Sequence, residues 1–335
     1  MTTAASIVRP GLPTPTGLLG RARWLVAPAL DEAVLRLSPE LRSAVRHHLD
    51  GGGKFVRAGL VLLSAAAVGG EDRDGVVGAV AVELVHNFSL VHDDIIDGDL
   101  ERRHRPTVWA EYGIGQAIIT GDALVTLALQ LLLEEPTPTR VAAAGRLAEA
   151  TQEMISGQAE DMAFEQRPEL SVEECLHMET GKTGALLACA ASLGAVLVGA
   201  PAPVVDALAD FGRHLGIAFQ AIDDVLGIWG DPGVTGKPVG NDLRLHKKTL
   251  PVAVASAPGS GAPEALASLL SAELSDSDVE RAARMLEECG ARERTMAIGE
   301  THLRAALGAL ERVPLQLQAT AELAAIAHYV TARDR

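Results

Sequence analysis

The sequence predicts an all-α protein, and three observations carry that prediction. Hydrophobic residues make up 48% of the 335-residue chain but aromatics only 3%, so the core must be built mainly from Ala, Leu and Val. That palette favours packed helices over sandwiches, which draw on aromatic and β-branched side chains. Apolar residues recur at helical spacing through long segments, and no run of four or more residues shows convincing strict alternation. The linkers are short and no compositional break divides the chain. One helical domain is therefore expected over residues 21–335, behind a mobile Pro-containing tail over 1–20.

Residues 21–50 carry helical periodicity, with Ser38-Pro39 starting a second helix because Pro suits a first helical position. GGGK at 51–54 interrupts it, and an apolar helix follows over about 57–69, ended by Gly69-Gly70. The next helix spans about 75–99 and delivers a group of aspartates at its C-terminal end. Arg105-Pro106-Thr107 reads as a loop, with a helix beginning near Val108. GDALVTLALQLLLEE (121–135) is helical and stops at Pro136. Further patterns cover 139–164, 171–199 and 203–229, the last ending in the loop GDPGVTGKPVGND at 230–242. About four helices remain. Ser277 is expected to cap one of them over 278–289, with Glu280 completing a capping box.

Net charge is −15, which argues against a nucleic-acid surface. Any phosphate ligand would need locally clustered cations or metal ions. Cys175, Cys189 and Cys289 are scattered without CxxC spacing, which fits a reduced, cytoplasmic setting and no zinc site. The first residues lack the basic and long apolar regions of a signal peptide. Gly184–Ala200 is the most membrane-like run, but it is short for spanning and reads as a buried bundle helix, so no integral membrane segment is expected.

The stretch richest in chemistry is LVHDDIIDGDLERR, residues 90–103. Residues four apart share a helix face, so Asp93 and Asp97 project side by side with Asp94 flanking them. Like charges at that spacing repel unless something cationic occupies the face. Hard oxygen ligands grouped this way suit Mg²⁺, which takes one or two carboxylates and completes its shell with water and phosphate. A second helical run, FQAIDDVLGIWGD at 219–231, carries Asp223 and Asp224, but one turn on stands Gly227 where a further carboxylate would repeat the first pattern. Two such helix ends facing one another would hold Mg²⁺ ions that a diphosphate bridges.

Cations stand at distinctive places. Lys54 and Arg57 follow the GGG break, and Arg102 and Arg103 lie just past Asp97. Lys182-Thr183 opens an apolar helix, Lys237 sits in the Gly-rich loop, and Lys247-Lys248-Thr249 begins the next helix. Glycines beside Lys54 and Lys237 let backbone N–H groups approach phosphate as well. GDPGVTGKP is not a nucleotide phosphate loop: its spacing is one residue too long and Pro238 follows Lys237.

In this order, GGGKFVRAGL, HNFSLVHDDIIDGDLERRHRPTVW, GDAL, GQAED, KTGALL, FQAIDDVLGIWGD and GKPVGNDLRLHKKTLP resemble the trans-isoprenyl diphosphate synthase (polyprenyl synthetase) family across residues 51–251. The ending AHYVTARDR is similar too. The resemblance, which is greatest to geranylgeranyl diphosphate synthases, implies an isoprenoid synthase-type helical bundle around a deep central cavity, forming a homodimer. The reaction it implies joins isopentenyl diphosphate to an allylic diphosphate, head to tail.

It also implies three Mg²⁺ ions, ligated by Asp93, Asp97 and Asp223, with Asp94, Asp224 and Asp99 in support. Arg102, Lys182, Lys237 and Lys247 would bind the allylic diphosphate, and Lys54, Arg57, His86 and Arg103 the isopentenyl diphosphate. Thr183 and Gln220 would turn oxygens towards the allylic cation. Phe88 and Ser89, the fifth and fourth residues before Asp93, would limit the product tail. A small Ser89 with a large Phe88 resembles the C20, geranylgeranyl pattern, with C15, farnesyl, as the alternative. Gly227 departs from the family pattern, as does Ala58 in place of proline. Two rivals remain. A class I terpene cyclase would lack the set Lys54, Arg57, His86 and Arg103; a non-catalytic partner subunit of a heteromeric synthase has only Gly227 in its favour.

Overall fold

The computed structural model describes residues 14–164, 167, 169–231, 239–262, 264–270 and 274–332. Among these the regular elements are helices except for one short ribbon, as the composition predicts.

Helix α1 (Pro15–Val34) begins inside the stretch expected to be a mobile tail. Thr14 Oγ1 accepts a hydrogen bond from Gly17 N, Pro15 opens the helix, and Leu18 and Leu19 are buried in the core. The Thr-Pro pair is a cap followed by a first helical proline, so residues 15–20 belong to the fold. Next come α2 (Pro39–Leu49), α3 (Val56–Ala67) and α4 (Asp72–Ile96). α4 starts earlier than expected and stops at Ile96, leaving Asp97 as its C-cap.

The expected loop after α4 is a hairpin of β1 (Glu101–Arg102) and β2 (Arg105–Pro106), with Arg102 opposite Arg105. Two-residue strands are too short for alternation to reveal them. Arg103 and His104 turn the hairpin with φ of 54° and 62°, a left-handed conformation unusual outside glycine.

α5 (Val108–Tyr112), α6 (Ile114–Leu133) and α7 (Pro138–Phe164) follow. The helix expected over 171–199 is instead α8 (Val172–Glu179), a π turn (Thr180–Gly184) and α9 (Ala185–Val198). α10 (Ala202–Trp229) carries the second aspartate run. Beyond it lie six described helices where four were expected: α11 (Asn241–Arg244), α12 (Leu250–Ser256), α13 (Glu264–Leu270), α14 (Asp276–Glu288), α15 (Ala291–Glu311) and α16 (Leu317–Thr331). Ser275, and not Ser277, caps α14: its Oγ accepts from Asp278 N, and Asp278 Oδ2 accepts from Ser275 N at 3.1 Å. That box places two acidic residues in the first turn, where the helix dipole favours them.

The main core joins α1, α3, α4, α6, α7, α9, α10 and α16 around Leu60, Leu84, Leu124, Leu208 and Phe211. A second core packs α8, the end of α10, α12 and α14 through Cys175, Ile228, Leu250 and Leu286. Three stretches, Asp72–Ile96, Ile114–Leu133 and Val172–Val198, are long and apolar enough to cross a bilayer. The first and third are two-thirds buried inside the fold, whereas Ile114–Leu133 is only 44% buried.

Candidate active site

A cavity of about 1000 Å³ opens among α3, α4, the π turn, α10 and the 241–249 segment. α4 contributes Glu83, His86, Asn87 and Leu90 to its wall. Glu83, His86, Leu90, Asp93 and Asp97 recur at intervals of three, four, three and four, which is one stripe on a helix. Asp93, Asp94 and Asp97 flank the cavity, each coupled to a cation that lines it. Arg102 Nε donates to Asp94 Oδ1 at 2.6 Å, and Lys247 Nζ donates to Asp97 Oδ2 at 3.4 Å. Lys182 is the strongest cationic influence on Asp93.

The aspartates sit in the last turn of α4, where the helix dipole already disfavours negative charge. Burial pushes the Asp93 carboxyl up to about 6, Lys182 and Arg102 oppose this, and Asp97 and Asp94 add to it. Asp94 is 1% exposed and shifted upward, again mainly by burial, and its Oδ2 has no hydrogen-bond partner among the described residues. Carboxylates held together against their mutual repulsion form a site in want of cations.

Among the described residues, no three His, Cys, Asp or Glu side chains lie close enough to hold a metal ion by themselves. Mg²⁺ uses one or two carboxylates and draws its remaining ligands from water and substrate phosphate. Asp93 and Asp97 on α4 and Asp223 on α10 are the candidate ligands. Asp94 and Asp224 are occupied otherwise, Asp94 by Arg102. Asp224 Oδ2 accepts from Leu250 N at 2.8 Å and its Oδ1 accepts from Gln220 Nε2 at 2.9 Å, anchoring the start of α12. Both expected metal residues are thus tied to neighbouring protein groups.

One wall is cationic. Arg57 Nη1 donates to His86 Nε2 at 3.3 Å, and Arg57 Nε is buried with no partner among the described residues. Burial, then Arg57 and Arg103, holds His86 far below the usual imidazole range, so the ring is neutral and Nε2 accepts. The hairpin turn brings Arg103 beside Gly51 and Gly53, close to Lys54. Glu83 Oε1 accepts from Ala58 N at 3.0 Å, satisfying an orphan N–H of the first turn of α3 and placing a carboxyl beside both arginines.

The π turn presents Lys182 and Thr183, and π turns recur at functional sites. Lys182 Nζ bonds Asp161 Oδ2 at 2.5 Å. Thr183 Oγ1 donates to Gln220 Oε1 at 3.0 Å, so its lone pairs are left for the cavity.

Of the expected residues, the cavity gathers Lys54, Arg57, His86, Arg102, Arg103, Lys182, Thr183, Gln220, Asp223, Asp224 and Lys247 in its wall. Lys237 lies outside the described residues. Phe88 and Ser89 do not border the open cavity. Phe88 is buried edge-on to His92, with ring centroids 4.9 Å apart, and Ser89 Oγ donates to His86 O at 2.9 Å. Glu83, Asp161, Glu179 and Asp242 also line the cavity and were not anticipated. Glu83 was visible as the first member of the α4 stripe, and Asp161 closes the GQAED segment.

An all-helical fold with a charged cavity flanked by two aspartate-rich helix ends defines a class of enzyme that handles phosphorylated apolar substrates. The polyprenyl synthetase family model matches residues 38–287, and the chain belongs to that family. It is 44% identical to a (2E,6E)-farnesyl diphosphate synthase of Mycobacterium tuberculosis, over 95% of this chain and 93% of that one. It is 42% identical to a geranylgeranyl diphosphate synthase of the same organism, over 88% of each. A polyprenyl synthetase from Streptomyces coelicolor superimposes with a TM-score of 0.90 at 46% identity, covering 94% of this chain and 99% of that one. The protein is a prenyltransferase, a trans-prenyl diphosphate synthase.

Proposed function

We propose that this enzyme condenses isopentenyl diphosphate with an allylic diphosphate to give geranylgeranyl diphosphate, C20. The observation that carries the reading is the gathering of Arg57, Arg102, Arg103, Lys182 and Lys247 on one cavity of a protein with net charge −15. Asp93, Asp97 and Asp223 would hold Mg²⁺, three ions in this reading, which would stabilise charge developing on the leaving group. Lys182, Arg102 and Lys247, with Lys237 from beyond the described residues, hold the allylic diphosphate. Lys54, Arg57 and Arg103 hold the isopentenyl diphosphate, and neutral His86 steadies the Arg57 guanidinium.

As the allylic C–O bond breaks, Thr183 and Gln220 face the cation with oxygen lone pairs. The alkene of the second substrate then attacks the allylic carbon to form the new C–C bond, and the proton lost from the resulting cation passes to the departing diphosphate. Leu90, Leu187, Leu215 and Phe219 exclude the water that would quench the cation. Phe88, buried in the core behind the α4 wall of the cavity, limits how far the tail can deepen the pocket. The 44% identity to a farnesyl diphosphate synthase favours C15 as a second reading of the product.

Residues from Pro15 onward act as one catalytic unit. Two copies pair through α6, whose Ile114, Ile118, Ile119 and Leu133 are exposed. The three cysteines are free, which supports a reducing, cytoplasmic setting. No membrane segment or nucleic acid takes part. Purified protein with Mg²⁺, labelled isopentenyl diphosphate and C5, C10 or C15 primers should yield C20; a folded protein that makes nothing from any primer would sink the assignment. Sedimentation should give twice the mass of the chain.

A further inference from the structure

Gly227 stands one turn after Asp223, where the first aspartate run carries Asp97 relative to Asp93. Read along α10 alone, the second half of the site is short of a carboxylate. Space tells otherwise. A Cβ built on Gly227 would lie 1.8 Å from Asp242 Oδ2, 2.6 Å from its Cγ and 3.2 Å from its Oδ1. The Asp242 carboxylate thus occupies the volume in which a side chain at position 227 would begin.

We propose that Asp242, delivered from α11, supplies the metal-directed carboxylate that α10 lacks at Gly227, and that glycine is required there because Asp242 fills the place. This inference rests on the prenyl synthase reading of the cavity. Asp223, Gly227 and Asp242 all line it, as does Lys247. Lys247 in turn bonds Asp97 at 3.4 Å, which sets Asp242 on the side of α10 that looks towards the first aspartate run.

The carrier is anchored. Gly240 begins α11 with φ of 69°, and a Cβ there would stand 2.2 Å from Val279 Cγ1, so α11 is seated directly on α14. Leu243, next to Asp242, is 1% exposed in the second core. Lys247 N donates to Asp242 O at 2.9 Å and closes the following turn. A carboxylate mounted this way loses little conformational freedom when it takes up a cation.

The arrangement makes a counter-intuitive prediction. Gly227→Asp, which restores the aspartate repeat on paper, places a second carboxylate into filled space and disables the site. The test is calorimetric titration of Mg²⁺ with inorganic diphosphate as the probe, with urea midpoints confirming that each variant is folded. Asp242→Asn, which keeps the shape, should raise the Mg²⁺ concentration needed for diphosphate binding about ten- to a hundredfold. Gly227→Asp should do the same, and Gly227→Asp/Asp242→Gly, which moves the carboxylate from α11 to α10, should recover most of the loss. If the unaltered protein shows no Mg²⁺-dependent diphosphate binding, the prenyl synthase reading fails and takes this inference with it. If the unaltered protein binds and Asp242→Asn binds equally well, this inference alone is overturned, as it is if Gly227→Asp binds normally without the second change.

Discussion

Gly157 on α7 lies against the backbone of Lys182: a Cβ there would stand 2.3 Å from Lys182 N and 2.8 Å from Gly181 C. α7 and the π turn therefore meet backbone to backbone, and no flexible side chain is available to yield. Gly157→Ala should cost about 1–3 kcal/mol or more by overpacking, and should reduce turnover by shifting Lys182. Gly145, on the same helix, meets nothing within 4 Å, so Gly145→Ala should stabilise by about 0.5–1 kcal/mol. Urea unfolding of the two variants checks the contrast, and equal midpoints would contradict it.

Arg102 compensates the buried Asp94 carboxylate. Arg102→Met leaves that charge unpaired and should destabilise the fold by about 3–5 kcal/mol, less whatever protonation of Asp94 recovers. Adding Asp94→Asn should return part of the loss, because the uncompensated charge is then gone. A double-mutant cycle by urea denaturation reads the coupling, and simple additivity would show that the pair does not act as a unit.

Thr183→Val preserves shape but removes the hydroxyl that donates to Gln220 and faces the cavity. Turnover should fall about 10²-fold, as when one preorganised polar group is lost, while KM for both substrates changes little. Thr183→Ser should restore most of it. A change confined to KM would assign Thr183 to binding and not to the developing cation.

His48 provides a pH test. Burial, with Arg102 and Arg103 adding to it, pushes its imidazole down to about 3 from the ordinary 6.5. Below pH 6.5 the unfolded chain takes up a proton that the folded chain refuses, so stability falls as pH drops from about 6.5 towards 3. The slope is at most about 1.4 kcal/mol per pH unit, and less here because the ring keeps some contact with solvent. Asp93 and Asp224, both pushed up to about 6, work in the opposite direction over the same range. The diagnostic is therefore the difference between the unaltered protein and His48→Gln, whose stability gap should narrow or reverse on acidification. A gap that is constant from pH 7.5 to 4.5 would rule out a neutral buried His48.

Phe88 is buried in the main core and meets His92 edge-on, so Phe88→Ala opens space beneath the first aspartate run and should lengthen the product. It should also cost about 3–5 kcal/mol as a large-to-small core change. Chain length is to be read by chromatography of dephosphorylated product at a temperature where the variant is folded. An unchanged distribution would remove Phe88 as the floor of the tail pocket.

Much of the site was legible in one dimension because its groups lie on helices, where spacing is geometry. Asp93 and Asp97 share a face by virtue of being four apart, and the same rule exposes Glu83 and His86 further up the stripe. Lys54, Arg57 and Arg103 carry no such periodicity. They come together because the hairpin turn at Arg103 and His104 folds back onto the glycines at 51–53, a contact between segments about 50 residues apart in sequence. The roles of Asp94 and Asp224 were likewise hidden: their neighbours in the chain are aspartates, but their partners in space are Arg102, Gln220 and Leu250 N.

The sequence by itself determined the helical class, the family, the two aspartate runs and most of the cations, because apolar period and motif spacing are local properties of a chain. It misjudged the start of α1, the π turn and the ribbon, all shorter than the window over which periodicity speaks. Only the tertiary structure decided which carboxylates are spent on hydrogen bonds within the protein. It also decided that the space at Gly227 is occupied by Asp242. That pairing crosses 15 positions of sequence and follows from the seating of α11 on α14 through Gly240 and Val279, which only packing in three dimensions specifies.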